Sequence, residues 1–142
     1  MSVHLDIANA VVAKLNAAPL SLSSERGYLV EHDLPDLVTQ RVTVVPAGLT
    51  VEAQDRDAQR HDYVIDVAVE KKPASLDPDD VDGLMDVVES VVDAFRGKAL
   101  SGQASAKWMA VEVMHQPERM VEFGVFAAIV RLTYRVRREA TA

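Results

Sequence analysis

A chain of 142 residues with no cysteine can bury a core of its own, and it builds neither disulfides nor thiolate metal sites. No apolar run reaches the roughly 18 residues of a membrane span, and the N-terminus lacks the basic region and long apolar core of a secretory signal, so the expectation is one domain over residues 1–142, folded in cytosol and without a membrane partner. A net charge of −7 lacks the basic footprint of a general nucleic-acid binder and favours a protein partner.

In chain order, residues 2–18 read as a helix: Leu5, Ala8, Val12 and Leu15 make an apolar stripe, with Ile7 and Val11 beside it, and Pro19 stops it. Residues 21–27 read as loop, Tyr28-Leu29-Val30 as a possible short strand, and residues 33–37 as a turn. Residues 41–45 predict a strand that Pro46-Ala47-Gly48 breaks. Residues 52–60 form a dense polar patch between strands, which predicts a long hairpin connection. Residues 62–70 carry a clean period of two, with Tyr63, Ile65, Val67 and Val69 on one face, and Lys71-Lys72-Pro73 ends that strand.

A helix follows. Asp77 suits the N-cap, Pro78 the first helical position, and the adjacent carboxylates the positive end of the dipole. Val81, Leu84, Met85, Val88, Val91, Val92 and Phe95 recur at helical spacing, and Gly97 is a ready left-handed cap. Residues 97–107 read as a flexible connector, or as a flap ordered by a partner. Residues 107–115 predict a strand and residues 116–119 a turn. Residues 121–138 predict a long last strand whose first half, apolar on both faces, belongs in the middle of a sheet. Residues 139–142 read as a frayed tail.

Chemistry is sparse. No nucleophile elbow, phosphate loop or paired-histidine metal motif is present, and His4, His32, His61 and His115 are scattered. Asp77, Asp79, Asp80 and Asp82 miss the calcium-loop pattern, because Val81 and Val88 fall where acids are needed; helix capping accounts for them. Asp55 and Asp57 with Asp62 read as part of a charged loop. The expectation is a non-enzyme with no cofactor and no metal.

One charge pattern stands out. Asp82, Asp86, Glu89 and Asp93 form an acidic stripe on the helix face opposite the apolar one, with no Lys or Arg between residues 73 and 95. Arg131, Arg135, Arg137 and Arg138 are the reverse, with no acid between residues 126 and 138. Read simply, these are two solvated faces. Read more sharply, they are complementary surfaces for a head-to-tail contact that closes into a ring. Asp55, Arg56, Asp57 and Arg60 form a candidate partner-contact loop.

The order of elements resembles the tail terminator and tail-completion proteins of long-tailed bacteriophages. The residues that carry the resemblance are 7–15, 41–45, 63–70, 81–95 and 128–136, a likeness of pattern over most of the chain rather than of a single motif. The resemblance implies a hexameric ring that ends tail-tube polymerisation and presents a surface to the head connector. Its implied partners are further copies of itself, the tube protein and the neck protein, with DNA only as passing cargo, in the virion tail. The alternatives are a head-closure or neck protein, or a small ligand-binding or regulatory module.

The fold expected is α+β: a twisted, mainly antiparallel sheet of about four to six strands with two helices packed against it. The core expected is Leu5, Val12, Leu15, Val42, Val44, Tyr63, Ile65, Val67, Val69, Leu84, Met85, Val88, Val92, Phe95, Val111, Val113, Phe126, Val130 and Leu132.

Overall fold

The computed structural model describes residues 2–30 and 34–139. Along the chain lie α1 (Val3–Asn16), β1 (Ser24–Arg26), a 3₁₀ turn (Leu34–Val38), β2 (Arg41–Ala53), β3 (Ala58–Lys71), α2 (Pro78–Phe95), β4 (Lys107–His115), α3 (Pro117–Phe123) and β5 (Phe126–Glu139). The strands form one five-stranded sheet in the order β1-β2-β3-β5-β4, with β1 parallel to β2 and every other pair antiparallel. The fold is α+β.

The period of two in β3 and β5 sets the two faces. Tyr63, Ile65, Val67 and Val69 on β3 share a buried layer with Phe126, Ala128, Val130, Leu132 and Tyr134 on β5. Helix α1 covers this layer over β1, β2 and β3, and α2 covers it over β5. Helix α2 inserts Leu84, Val88, Val91 and Phe95, a row at helical spacing, while Met85 and Val92 flank it half-buried. In α1 the inserted row is Ile7, Ala8, Val11 and Leu15; the expected Leu5 and Val12 stay half-buried because the helix leans on the neighbouring row. Val113, also expected in the core, is 39% exposed, because β4 is the outermost strand and α2 packs on β5 instead.

Several boundaries differ from expectation for local reasons. Residues 24–26 are a strand, because Asn16 templates them: its side chain accepts from the Ser24 N–H at 2.7 Å and donates to the Ser24 carbonyl at 3.2 Å. Residues 28–30 are not a strand. Strand β2 runs through Pro46-Ala47-Gly48 with only a bulge between Pro46 and Gly48. The Val44 carbonyl accepts from the Gly27 N–H on the outer side, so two residues later Pro46 also faces outward, where no ladder bond needs its missing proton. The hairpin connection is therefore residues 54–57 alone, and Glu52 and Arg60 are cross-strand partners within the sheet.

The turn at residue 116 opens into α3, with Pro117 in its first turn and Gly124 as a left-handed cap at φ 66°, so β5 begins at Phe126 rather than near 121. The connector after α2 is pinned by two buried side chains, Leu100 and Ala106, with a tight turn between Leu100 and Gln103. The tail beyond Glu139 lies outside the described residues.

Candidate functional site

The sheet face opposite α1 and α2 carries ladders of charge. On it Asp66 sits directly across from Arg131, and Asp62 from Arg135. Both pairs are two-pronged: Arg131 Nε and Nη2 donate to the Asp66 carboxylate at 2.8 and 3.0 Å, and Arg135 to Asp62 at 2.7 and 3.0 Å. Two parallel bonds hold each planar fork flat against the sheet. The Arg135 bond depresses the Asp62 carboxyl below its usual range, against a smaller opposing effect of burial. The reciprocal bonds raise the guanidinium of Arg131, through Asp66, and of Arg135, through Asp62.

The hairpin tip extends this network. Arg60 Nε donates to Glu52 across the strands at 3.0 Å, and Arg137 reaches Asp55 at 3.4 Å. The backbone N–H of Asp57 bonds the Asp55 carboxylate at 2.9 Å and is the main cause of its lowered pKa. Of the tip candidates, Asp55 and Arg60 thus engage partners, while Arg56 and Asp57 stand exposed in the turn. Arg138 is exposed and forms no ion pair among the described residues.

At the far end of the same face, α3 and the 3₁₀ turn close over the sheet. Glu70 is nearly fully buried there and is paired with Arg119 of α3. A recess of about 290 Å³ beside this pair is lined by Ala68, Gln116, Ala127 and Ile129.

The acidic stripe lies on the other side of the molecule. Asp82, Asp86, Glu89 and Asp93 are all exposed on the outer face of α2, and among the described residues their one ion pair is Asp93 with Arg96 at 3.6 Å. The stripe and the arginine ladder are therefore not brought together within one chain. At the start of α2, Asp77 occupies the N-cap position but its side chain makes no capping bond. Ser75 organises that turn instead, accepting from the Asp77 N–H at 3.2 Å and donating to the Asp80 carboxylate.

The histidines occupy structural places. His4 Nε2 lies 2.9 Å from the Val64 carbonyl, His61 contacts Tyr63, and His115 packs its ring on Phe126; His32 lies outside the described residues. Among the described residues no group of three or more His, Asp or Glu could hold a metal. A cleft of about 500 Å³ between the C-terminal ends of α1 and α2 is lined by Lys14, Pro19, Leu20, Asp93, Ala94 and Lys98. It is open, and Lys14 lies over the Phe95 ring at 5.3 Å, its pKa lowered first by burial and then by Lys98. No helix of the described residues is long and apolar enough to cross a membrane.

No family model matches the chain, and no curated protein matches it. Among solved structures it is similar to a chain of the virion of a native gene transfer agent (GTA) particle. The TM-score is 0.56 and the identity 16%, over 94% of this chain and 95% of that one. At that identity the likeness is one of fold, and it extends over nearly the whole of both chains.

Proposed function

We propose that this chain is a structural subunit of a phage-type virion, and more finely that it is a tail terminator: a homo-oligomeric, hexameric ring that caps the tail tube, stops its growth and presents a face to the head connector. The observation that carries the reading is the end-to-end fold likeness to a virion chain, with 94% and 95% of the two chains covered. The order of elements supports it: the helix, polar hairpin, amphipathic helix and terminal strand pair on which the resemblance to tail terminators rests are all present.

The mechanism is mechanical. One ring face matches the last layer of the tube, and the other cannot accept another tube subunit. The acidic stripe of α2 and the arginine face of the sheet are the two candidate contact surfaces, lying on opposite sides of the subunit. A net charge of −7 lets DNA pass without adhering. A neck protein would share the same fold argument, and tube length separates the two readings. Added to polymerising tube subunits, a terminator shortens the tubes and sits at their ends in electron micrographs. A chain that stays monomeric at all concentrations and leaves tube length unchanged is not a terminator.

A further inference from the structure

We infer that the ring closes by sheet continuation: the outer edge of β2, residues 48–53, pairs in antiparallel fashion with the free edge of β4 of the next copy. This rests on the ring reading above and names the surface that builds it.

Strand direction permits this pairing. Between the two edges lie β2, β3, β5 and β4, all antiparallel in turn. Because that number is even, β2 and β4 run in opposite senses. A neighbour placed alongside with its helices on the same side therefore presents β4 antiparallel to β2 without any flip. Two different edges meeting in this way make a head-to-tail contact, the kind that can close into a ring.

Hydrogen-bond parity matches as well. The outward carbonyl of Val44, followed through the bulge by the register Leu49↔Tyr63 and Val51↔His61, leaves Leu49, Val51 and Ala53 with their backbone groups facing out. On β4 the residues opposite Ala110 and Glu112 in parity are Trp108, Val111 and Val113, and these face out. On both edges these same residues point their side chains to the helix side. Free backbone groups and side-chain faces therefore match at once.

The composition of both edges favours pairing. Natural edge strands carry lysines or prolines that discourage pairing. Past Pro46 the β2 edge has neither, and it exposes Leu49 by 49% and Val51 by 48%. Strand β4 exposes Val113 by 39%, and its single cation, Lys107, sits at its start. In the register that sets Val51 against Trp108 and Leu49 against Val111 of the next copy, Glu52 meets that copy's Lys107 on the open face. Apolar pairs meet on one face and opposite charges on the other. Among the described residues, β1 pairs with the β2 edge at its lower part, at Val42, Thr43 and Val44.

The test uses the full chain, whose lack of cysteine makes thiol mapping clean. Leu49→Cys combined with Val111→Cys should give, on oxidation, a ladder of covalent oligomers on denaturing gels, while either single variant gives none. Val51→Pro removes only an outward N–H, so it should keep a native circular dichroism spectrum while the light-scattering mass falls to the 15.5 kDa of the monomer. Val51→Lys, which leaves the backbone intact, should do the same if the proline variant folds poorly. Wild-type oligomers that persist in both Val51 variants, with no ladder from the cysteine pair, overturn sheet continuation and leave the ring reading standing. A monomeric wild-type chain overturns both.

Discussion

The two faces of the sheet are built from the same strands but obey different physics. On the helix side, alternate residues of β3 and β5 vanish into an apolar layer under α1 and α2, and stability scales with buried carbon. On the open side, the intervening residues are Asp62, Asp66, Arg131 and Arg135, held in two-pronged pairs while still reached by water. Such pairs fix geometry more than they add stability. The helix side thus specifies that the chain folds, and the open side and the edges are free to specify what it meets.

Breaking the helix side should have the largest effect. Leu84 is 5% exposed and is the first residue of the α2 row. Leu84→Asp removes a packed leucine and buries a carboxylate with no partner, a cost of about 4 kcal/mol or more. Chemical denaturation should show a chain largely unfolded in buffer. A soluble variant with a native midpoint would mean that another face of α2 meets the sheet.

The open side predicts a smaller, pH-dependent effect. The Asp62 carboxyl titrates lower in the folded chain than in the unfolded one, chiefly because Arg135 bonds it. Its contribution is therefore complete above the unfolded carboxylate pKa and is lost as pH falls through the lower folded value. Arg135→Gln should lower the melting temperature at neutral pH, and the gap to wild type should close on acidification through that window. A gap that is constant with pH would show that the lost packing of the arginine stem matters, and not the ion pair. For the Arg131–Asp66 pair, whose arginine is 40% exposed, a double-mutant cycle should return roughly 0.5 kcal/mol.

The contrast between the faces also explains how much of the structure is legible in the sequence. The helix side is readable because burial leaves a periodic trace: β3, the central place of β5 and most of the α2 row follow from spacing, although the fully buried Val91 takes the place expected of Met85 and Val92. The exceptions are residues whose fate depends on a neighbour far along the chain. Pro46 looks like a breaker until Gly27 shows which way β2 faces. Val113 looks like core until β4 proves to be an edge. The arginines of β5 read in sequence as an unbalanced basic run because their acids, Asp62 and Asp66, sit on another strand, paired only by register. Helix α3 did leave a local signal, Pro117 followed by the cap at Gly124, but Val121 and Phe123 ran on in sequence into the apolar stretch of β5. Both are in fact exposed.

The smallest effect on stability should come from the acidic stripe, and that is what makes it informative. Asp86 and Glu89 are exposed, and neither forms an ion pair among the described residues. Neutralising both, as Asp86→Asn with Glu89→Gln, should move the folding free energy by no more than about 0.5 kcal/mol. If the stripe is only a solvated face, assembly should be equally indifferent. If it is a contact surface, attachment to tube or neck should weaken and lose its salt dependence while the melting temperature holds, since charges at a contact act on encounter and specificity more than on the fold. Sheet continuation adds a sharper requirement. In that ring the stripe lies on the helix side and away from the β2–β4 joint, so the neutralised chain should still form rings of wild-type mass. Loss of rings in this variant would move the joint from the strand edges to α2.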